Sequence, residues 1–529
     1  MGKYINRGLE GFKRYTNGDY VDKTGLIGYV NSTISTADML TCVTRPRRFG
    51  KTAAAQMLYA YYDKYSNSRH LFENYQIAQH PTFEQHLNKY PTLYIDITNF
   101  TTKYAGKKNL VILMQKDIMK DLSTAFPDIK PEEGDDLMDF LLSIATTTGE
   151  KFVMIIDEWD AICREAGDNT GIMKDYMDFL RRLFKGSDVA RVFACAYMTG
   201  ILPVKKYGTQ SALNDFVEFS MTSPRQLAGY IGFTENEVKA LCDKYGMDYE
   251  DMKGWYDGYC FGIGYPPVFN PNSVMKACSS GVFENYWAKT EAFEALQQYI
   301  DLELDGIKES LECIIKGDSQ SVNTLRFGSD LYAVGSNEEF LTLLIHLGYL
   351  SYNVEYKTVS LPNKEIRMEF TESLRSSKNH ARLVEIVKTS DRLLEATLAK
   401  NETVVAELIE KLHNHQASPD FYNNEQALRS VLKLGYLSAI DHFVTIQELP
   451  SGKGYADLVL LPRRDSKAPV VIIELKWNQP AYTAIRQIRD RNYPDALRGF
   501  TDNILLVGIS YDTETKQHTC KIEMENVTK

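Results

Sequence analysis

Short apolar runs punctuate the first two hundred residues: MLTCVT (39–44), TLYIDIT (92–98), FVMIID (152–157) and ARVFACAYMTG (190–200). Each reads as a buried strand, and the stretches between them carry helical spacing, as in AAAQMLYAYYDKY after the first run. Strands alternating with helices predict a parallel, doubly wound α/β sheet. The aromatics of YAYYDKY (59–65) follow helical spacing into the core. From about 217 to 330 the pattern is mainly helical, broken by GWYDGYCFG and VFNPNS, and 371–420 reads as long helices. After 420 the texture changes to a helix (425–437), the strands VTIQELP, YADLVLLP and VVIIELK, a helix (479–492) and the strand NILLVGIS. That is a second, smaller α/β unit. The pentapeptide LGYLS occurs in 346–353 and again in 433–440, too short an echo for a repeat. It predicts two buried helix ends turned by Gly348 and Gly435.

Composition narrows the class without choosing a function. At 529 residues the chain calls for two to four domains. Its 44% hydrophobic and 25% charged residues are ordinary for a soluble globular protein. No run of about 18 apolar residues predicts a membrane span. The leading MGKYINRGLEGFKRY lacks the apolar core of a secretory signal, and Asn6 stands where myristoylation needs Ser or Thr. Eight scattered cysteines without C-x-x-C fit free thiols in a reducing cytoplasm and argue against structural zinc. The net charge of -10 confines any nucleic-acid contact to a local basic surface.

Between the first strand and its helix lies TRPRRFGKT (44–52), which ends like the phosphate loop G-x-x-x-x-G-K-[ST]. Arg45 occupies the first glycine's place, and Pro46 biases it toward extended backbone. In such a loop, backbone N–H groups and a helix N-terminus face the phosphates. Gly50 would let the main chain approach, Lys51 would reach the β- and γ-phosphates, and the Thr52 hydroxyl would bind Mg²⁺. The run FVMIIDEWD adds paired acids at the end of a strand. Asp157 would hold Mg²⁺ and Glu158 would polarise the attacking water. Thr199, at the end of the fourth strand, either senses the γ-phosphate or simply ends the strand. Arg45, Arg47 and Arg48 stabilise phosphate charge, face solvent, or face DNA.

These residues do not stand alone. YVDKTGLI (20–27), TRPRRFGKT, IIDEWD (155–160), MTGILPV (198–204), LNDF (213–216), WYDGYCFG (255–262) and FNPNS (269–273) together resemble the AAA-ATPase-like family, bacterial and archaeal proteins that join a P-loop ATPase to a nuclease-like C-terminal domain. In that family RPRRFGK itself replaces the ordinary loop, so the resemblance implies that Arg45 is the family form. Tyr256, Asp257 and Tyr259 read as packing or turn residues.

The second cluster is GYADLVLLPRRDSKAPVVIIELKWN (454–478). Alternate strand positions share a face, so Glu474 and Lys476 point together, and Asp457 joins them if its strand is adjacent. Two carboxylates suit Mg²⁺ or Mn²⁺, which activates water and stabilises charge on a phosphodiester, while Lys476 positions or deprotonates that water. A buried structural acid–lysine pair is the alternative. The stretch 421–510 resembles the PD-(D/E)-x-K nuclease superfamily. The resemblance implies roles for Glu425 on a first helix, Gly454 and Asp457 on a strand, Glu474 and Lys476 on the next, and Gln487 with Tyr493 beyond. Glu448 reads as a surface acid. Over 463–498, eight basic side chains face four acidic ones. Arg486 and Arg489 lie at helical spacing, as phosphate contacts or as a solvated face. His413 and His415 read as part of a solvated linker.

The expected fold is α/β: a P-loop NTPase domain over 1–216, a helical lid or winged-helix region over 217–370, a helical linker over 371–420 and a restriction-endonuclease-like domain over 421–529. The expected function is ATP binding and hydrolysis coupled to metal-dependent phosphodiester cleavage in nucleic acid, with DNA the favoured substrate. Two alternatives stay open: a nucleotide-switched nucleic-acid-binding or signalling module without cleavage, and an ATPase acting on a protein partner. Homo-oligomerisation is left open, and no membrane association is expected.

Overall fold

The computed structural model describes residues 2–165, 170–204, 213–261, 264–265, 267–287, 304–327, 334–375, 381–416, 425–451, 454–462, 468–491 and 503–526. They form two compact units interleaved along the chain. One comprises Met1–Tyr286 with Ser319–Asn363, the other Trp287–Asp318 with Lys364–Lys529. The helices of 371–420 therefore share a unit with the C-terminal sheet.

The first unit is built on a parallel sheet of β1 (Leu40–Thr44), β2 (Thr92–Asp96), β3 (Phe152–Asp157), β4 (Phe193–Gly200) and β5 (Val217–Phe219), in the order β2-β3-β4-β1-β5. Every residue of β1, β3 and β4 is buried, because helices cover both faces of a parallel sheet. This explains why these strands read as continuous apolar runs. Two runs were longer than their strands. TLYIDIT stops at Asp96, whose side chain caps the helix Ile97–Lys103 by accepting the Thr98 N–H. The start of ARVFACAYMTG instead forms the helical turn Val189–Val192. The edge strand β5 had no periodic signal at three residues and fell where helix was expected.

Beyond the sheet come the helices Glu235–Tyr245, Tyr249–Tyr256, Pro271–Ser280 and Asn337–Leu347. A small antiparallel sheet adds β6 (Gln320–Ser321), β7 (Ser351–Asn353) and β8 (Thr358–Ser360), ordered β6-β8-β7.

The second unit carries a mixed sheet of β9 (Phe443–Ser451), β10 (Gly454–Pro462), β11 (Val470–Trp477), β12 (Asn503–Asp512) and β13 (Gln517–Asn526), ordered β13-β12-β11-β10-β9. Only β11 and β12 run parallel, joined by the crossover that holds the helix Ala481–Asp490. Ala456, Val459, Val470, Ile472, Ile485, Ile488, Ile504 and Leu506 form its core. Strand β13 was not expected from the sequence, although His518, Cys520, Ile522 and Met524 alternate with polar residues along it.

Two local expectations fail. Gly348 does end its helix in the left-handed conformation, at φ 90°. Gly435 does not: it closes the helix Glu425–Gly435 without positive φ, and a Cβ there would meet Leu393 Cδ2 at 2.7 Å. It is a close-packing glycine. His413 is no part of a solvated linker either. It is fully buried on the helix Glu402–Gln416, and its Nδ1 lies 2.8 Å from His518 Nε2 on β13. The side chains of His415 and Glu448 lie outside the described residues.

Candidate nucleotide and metal sites

The order of the first sheet brings the ends of β1, β4 and β3 side by side, with Val43 beside Thr199 and Ile156 beside Met198. The carboxyl edge of a parallel sheet is where α/β folds bind ligands. From β1 the chain enters the loop, turns at Gly50 with φ 91°, and starts the helix Lys51–Tyr62. A Cβ on Gly50 would meet nothing within 4 Å, so glycine is needed there for its backbone angle. Arg48 adopts the left-handed region at φ 69°, a strained choice for a long side chain.

Lys51 is buried, donates to the Pro46 carbonyl at 3.0 Å and lies 3.7 Å from Glu158 Oε1. Asp157, at the tip of β3, accepts the Tyr94 hydroxyl at 2.8 Å and the Thr52 hydroxyl. Burial, reinforced by Glu158 and Asp96, pushes its carboxyl up to about 6. Glu158 follows at φ 51°. Burial opposes its ionisation, yet Lys51, Arg164 and Arg47 outweigh that and hold it below the usual range. Thr199 Oγ1 is buried without a hydrogen-bond partner among the described residues.

Arg48, Gly50, Lys51, Thr52 and Glu158 line a cavity of ≈ 480 Å³ that extends over Tyr15, Tyr20, Lys23, Tyr230, Phe233 and Met275. A volume in the few-hundred Å³ range with a polar end and aromatic walls suits a nucleotide-sized ligand. Arg45 is not on its wall. Its guanidinium is fully buried, donates to the carbonyls of Thr44 and Phe219 at 2.8 and 3.0 Å, and stacks 4.8 Å from the Phe261 ring. Burial lowers its pKa to about 10. The first loop arginine therefore braces the loop from behind, and its side chain is turned away from the phosphate position.

YVDKT and WYDGY also brace this cavity, the latter through packing. In YVDKT, Lys23 donates to Glu237 at 2.5 Å and to the Gly229 carbonyl at 2.9 Å, while Asp22 accepts the N–H groups of Thr24 and Gln76. In WYDGY, the Tyr259 ring stands edge-on to Phe49 of the loop at 4.9 Å, and its hydroxyl donates to Gly348. Gly258, at φ 98°, packs where a Cβ would fall 2.0 Å from the Pro362 carbonyl. Missed by sequence reading were Tyr94, Asp160 and Arg164. Tyr94 had a signal in its alternate position before Asp96, and Arg164 in its spacing of four from Asp160.

In the second unit, Leu458 of β10 pairs with Ile473 of β11, which sets Asp457 alongside Glu474. Asp457 Oδ2 accepts the Leu475 N–H at 2.9 Å, and Arg429 lies 3.2 Å from Oδ1. Glu474 is buried, and its Oε2 has no hydrogen-bond partner among the described residues. Burial, then the Asp457 charge, pushes its carboxyl up to about 7. Lys476 lies 3.6 Å from Glu474 Oε1, and Gln487 bridges the pair by accepting from Lys476 and donating to Glu474. An orphaned buried carboxylate oxygen beside a second carboxylate fits a hard divalent cation, whose charge would relieve the repulsion between them.

Glu425 begins the helix Glu425–Gly435, but its side chain lies outside the described residues, as does Tyr493 entirely. Of the predicted basic surface, Arg463, Arg464, Lys467 and Arg498 also lie outside. Arg489 is engaged by Glu523 and Glu525 at 2.8 and 3.0 Å, and Arg486 lies 3.6 Å from Asp490. The acids of β13 thus offset part of the positive charge on that helix.

Residues 7–209 match the family model described as a predicted AAA-ATPase, and residues 423–521 match that of the PD-(D/E)XK nuclease superfamily. The chain joins an AAA-ATPase-like domain to a PD-(D/E)XK superfamily domain. The first match encloses Arg45 to Thr52, Asp157, Glu158 and Thr199, and the second encloses Asp457, Glu474, Lys476 and Gln487. The AAA-ATPase-like match spans β1–β4 of the parallel five-stranded sheet, and the α/β expectation holds for both halves. A protein described as "Uncharacterized protein in vnfD 5'region" from Azotobacter chroococcum mcd 1 is 22% identical over 97% of each chain. The solved ORC2 protein of Aeropyrum pernix, in ADPNP–ADP complexes, aligns with 67% of this chain and 94% of its own at 10% identity and a TM-score of 0.24, too loose to bear on fold or function. No described helix is long and apolar enough to cross a membrane.

Proposed function

We propose that this protein binds and hydrolyses ATP with its AAA-ATPase-like domain and cuts a phosphodiester in nucleic acid with its C-terminal domain. The observation that carries the reading is the second acidic site: Asp457 and Glu474, whose Oε2 has no partner among the described residues, beside Lys476 and Gln487. Two acids this close repel each other, and Lys476 and Arg429 leave the Glu474 carboxyl still raised. Magnesium or manganese, when bound there, would supply water activation and charge stabilisation. Asp457 and Glu474 would hold it, Lys476 would orient or deprotonate the attacking water, and Gln487 would keep Lys476 and Glu474 in place.

On the nucleotide side, the loop N–H groups and Lys51 would bind the phosphates. Thr52 and Asp157 would hold the magnesium ion of the nucleotide, and Thr199 would contact the γ-phosphate. Glu158 would orient the attacking water, and the aromatic end of the cavity would take the base. Arg48 contributes from the cavity wall, whereas Arg45 acts by bracing the loop. Nucleic acid would approach the C-terminal site over Arg486, with Arg489 released from its acids on binding.

The test is cleavage of plasmid and single-stranded DNA with Mg²⁺ or Mn²⁺, with and without ATP. The parent is compared with Lys476→Ala and Lys51→Ala. Cleavage that disappears in Lys476→Ala and loses its ATP dependence in Lys51→Ala supports the reading. Nucleotide binding without cleavage under any of these conditions replaces it with a nucleotide-switched binding module.

A further inference from the structure

The DEWD segment holds more chemistry than the two acids assigned to it. Arg164, on the short helix Ala161–Glu165, is nearly buried and grips two carboxylates. Its Nη2 donates to Glu158 Oε2 at 2.5 Å, and its Nε lies 3.2 Å from Asp160 Oδ2. Asp160 is fully buried, and the same Oδ2 accepts the N–H groups of Ile201 and Leu202 at 3.1 and 2.9 Å. These two residues follow Thr199 and Gly200 at the end of β4. Gly200 is packed so closely that a Cβ would fall 2.5 Å from Trp159 and 2.6 Å from Asp160. The Trp159 N–H donates to the Thr199 carbonyl at 2.9 Å. A continuous path therefore runs from the tip of β4 through Asp160 and Arg164 to the carboxylate of Glu158.

We propose that Arg164 is a positioning residue that fixes the direction of the Glu158 carboxylate, holding Oε2 so that Oε1 alone faces Lys51 and the incoming phosphate. This rests on the nucleotide reading above. The terminal torsion of a glutamate is broad, so an untethered carboxylate would spread over many directions. With Oε2 fixed, the other oxygen is left 3.7 Å from Lys51 Nζ. A γ-phosphate that draws the Lys51 ammonium to itself turns Oε1, under the charge of Arg47, into an acceptor for a water. Anchoring by Asp160 sets that direction from the β4 tip, where Thr199 stands.

The experiment measures ATP turnover, nucleotide affinity and melting temperature for the full chain and for Arg164→Ala, Arg164→Lys, Glu158→Gln and the Arg164→Ala/Glu158→Gln double variant. Misdirection of a reacting group costs roughly 10²-fold. Arg164→Ala is expected to lose about that in kcat with KM and nucleotide affinity unchanged. Arg164→Lys should recover part of it, and the double variant should be no slower than Glu158→Gln. Full kcat in Arg164→Ala overturns the proposal, as do losses that multiply in the double variant. If Arg164→Ala melts early, Arg164→Lys decides: a native melting temperature with lowered kcat supports positioning, and one with full kcat overturns it. A parent that binds and hydrolyses ATP while the Arg164 variants stay at full kcat defeats this inference alone. A parent that binds no nucleotide defeats it together with the reading it rests on.

Discussion

Glu474 and Arg45 show how far a residue's role depends on what surrounds it. Glu474 sits beside Asp457 with its carboxyl raised to about 7, against an ordinary 4.5. Below pH 7 it holds a proton that a divalent cation must displace, so affinity for Mn²⁺ is expected to fall as pH drops, by up to about tenfold per unit. Titration calorimetry at pH 6 and pH 8 checks this. Equal affinities at both, or a pH dependence that survives in Glu474→Gln, would remove Glu474 from the site. Arg45 lies wholly inside the first unit with two backbone carbonyls as partners. Its truncation to alanine leaves a cavity and removes two hydrogen bonds, and should cost about 2–3 kcal/mol of stability. Arg48→Ala, on the cavity wall, should leave the melting temperature near that of the parent and weaken nucleotide binding instead. The opposite ranking in thermal melts and nucleotide titrations would reverse these assignments. The sequence marked all three loop arginines as charge near phosphate, because spacing carries no information on which of them turns inward.

At the scale of elements, the C-terminal site depends on one close approach. Gly508 of β12 faces the helix Ala481–Asp490, and a Cβ there would fall 2.3 Å from the Ala481 carbonyl and 2.9 Å from Ala484 Cβ. The obstacle is backbone, so the whole helix must move, and with it Gln487. Gly508→Val is expected to cost about 1–3 kcal/mol by overpacking and to reduce metal-dependent cleavage more than Gln487→Ala does. A melting curve and a cleavage assay on both variants would show it. Cleavage as fast as the parent's would mean that the helix does not set the Lys476–Gln487–Glu474 arrangement. Element type was legible wherever a run was long and uniformly apolar, as for β3, or was framed by a loop motif, as for β1. It was illegible for β5, which is three residues long and takes its pairing from a neighbouring strand.

The whole molecule is organised by contacts that ignore chain order. Trp287–Asp318 belongs with Lys364–Lys529, and within that unit the Trp287 N–H donates to Glu365 Oε1 at 3.0 Å. A fragment starting at Lys364 leaves Glu365, fully buried, without that donor. It is expected to melt below the same unit in the full chain, and an equal melting temperature would show the earlier segment to be dispensable. The His413–His518 pair ties a helix to the edge strand of this unit. Burial, then His413, lowers the His518 pKa from 6.5 to about 4. The folded state keeps His518 neutral while the unfolded chain takes up a proton below about 6.5. Its stabilising share is therefore complete above that pH and is lost as pH falls toward 4, on the order of 1–3 kcal/mol in all. Melting between pH 7.5 and pH 4.5 should show a decline that His518→Gln flattens. Parallel declines in both proteins would exclude the pair as its source.

The amino-acid sequence by itself determined the two α/β halves, the phosphate loop, the acids of β3 and the shared strand face of Glu474 and Lys476, whereas Asp457 joins them only through the pairing of β10 with β11. Each is written in local order: apolar runs, a glycine before a lysine, or alternation along one strand. Tertiary structure alone decided which arginine points inward, that Gly435 packs rather than turns, that His413 is buried, and that Arg164 joins Glu158 to Asp160. It also decided that residues 287–318 leave the first unit for the second. These outcomes depend on burial and on partners far away in the chain, and neither is encoded in the spacing of neighbouring residues.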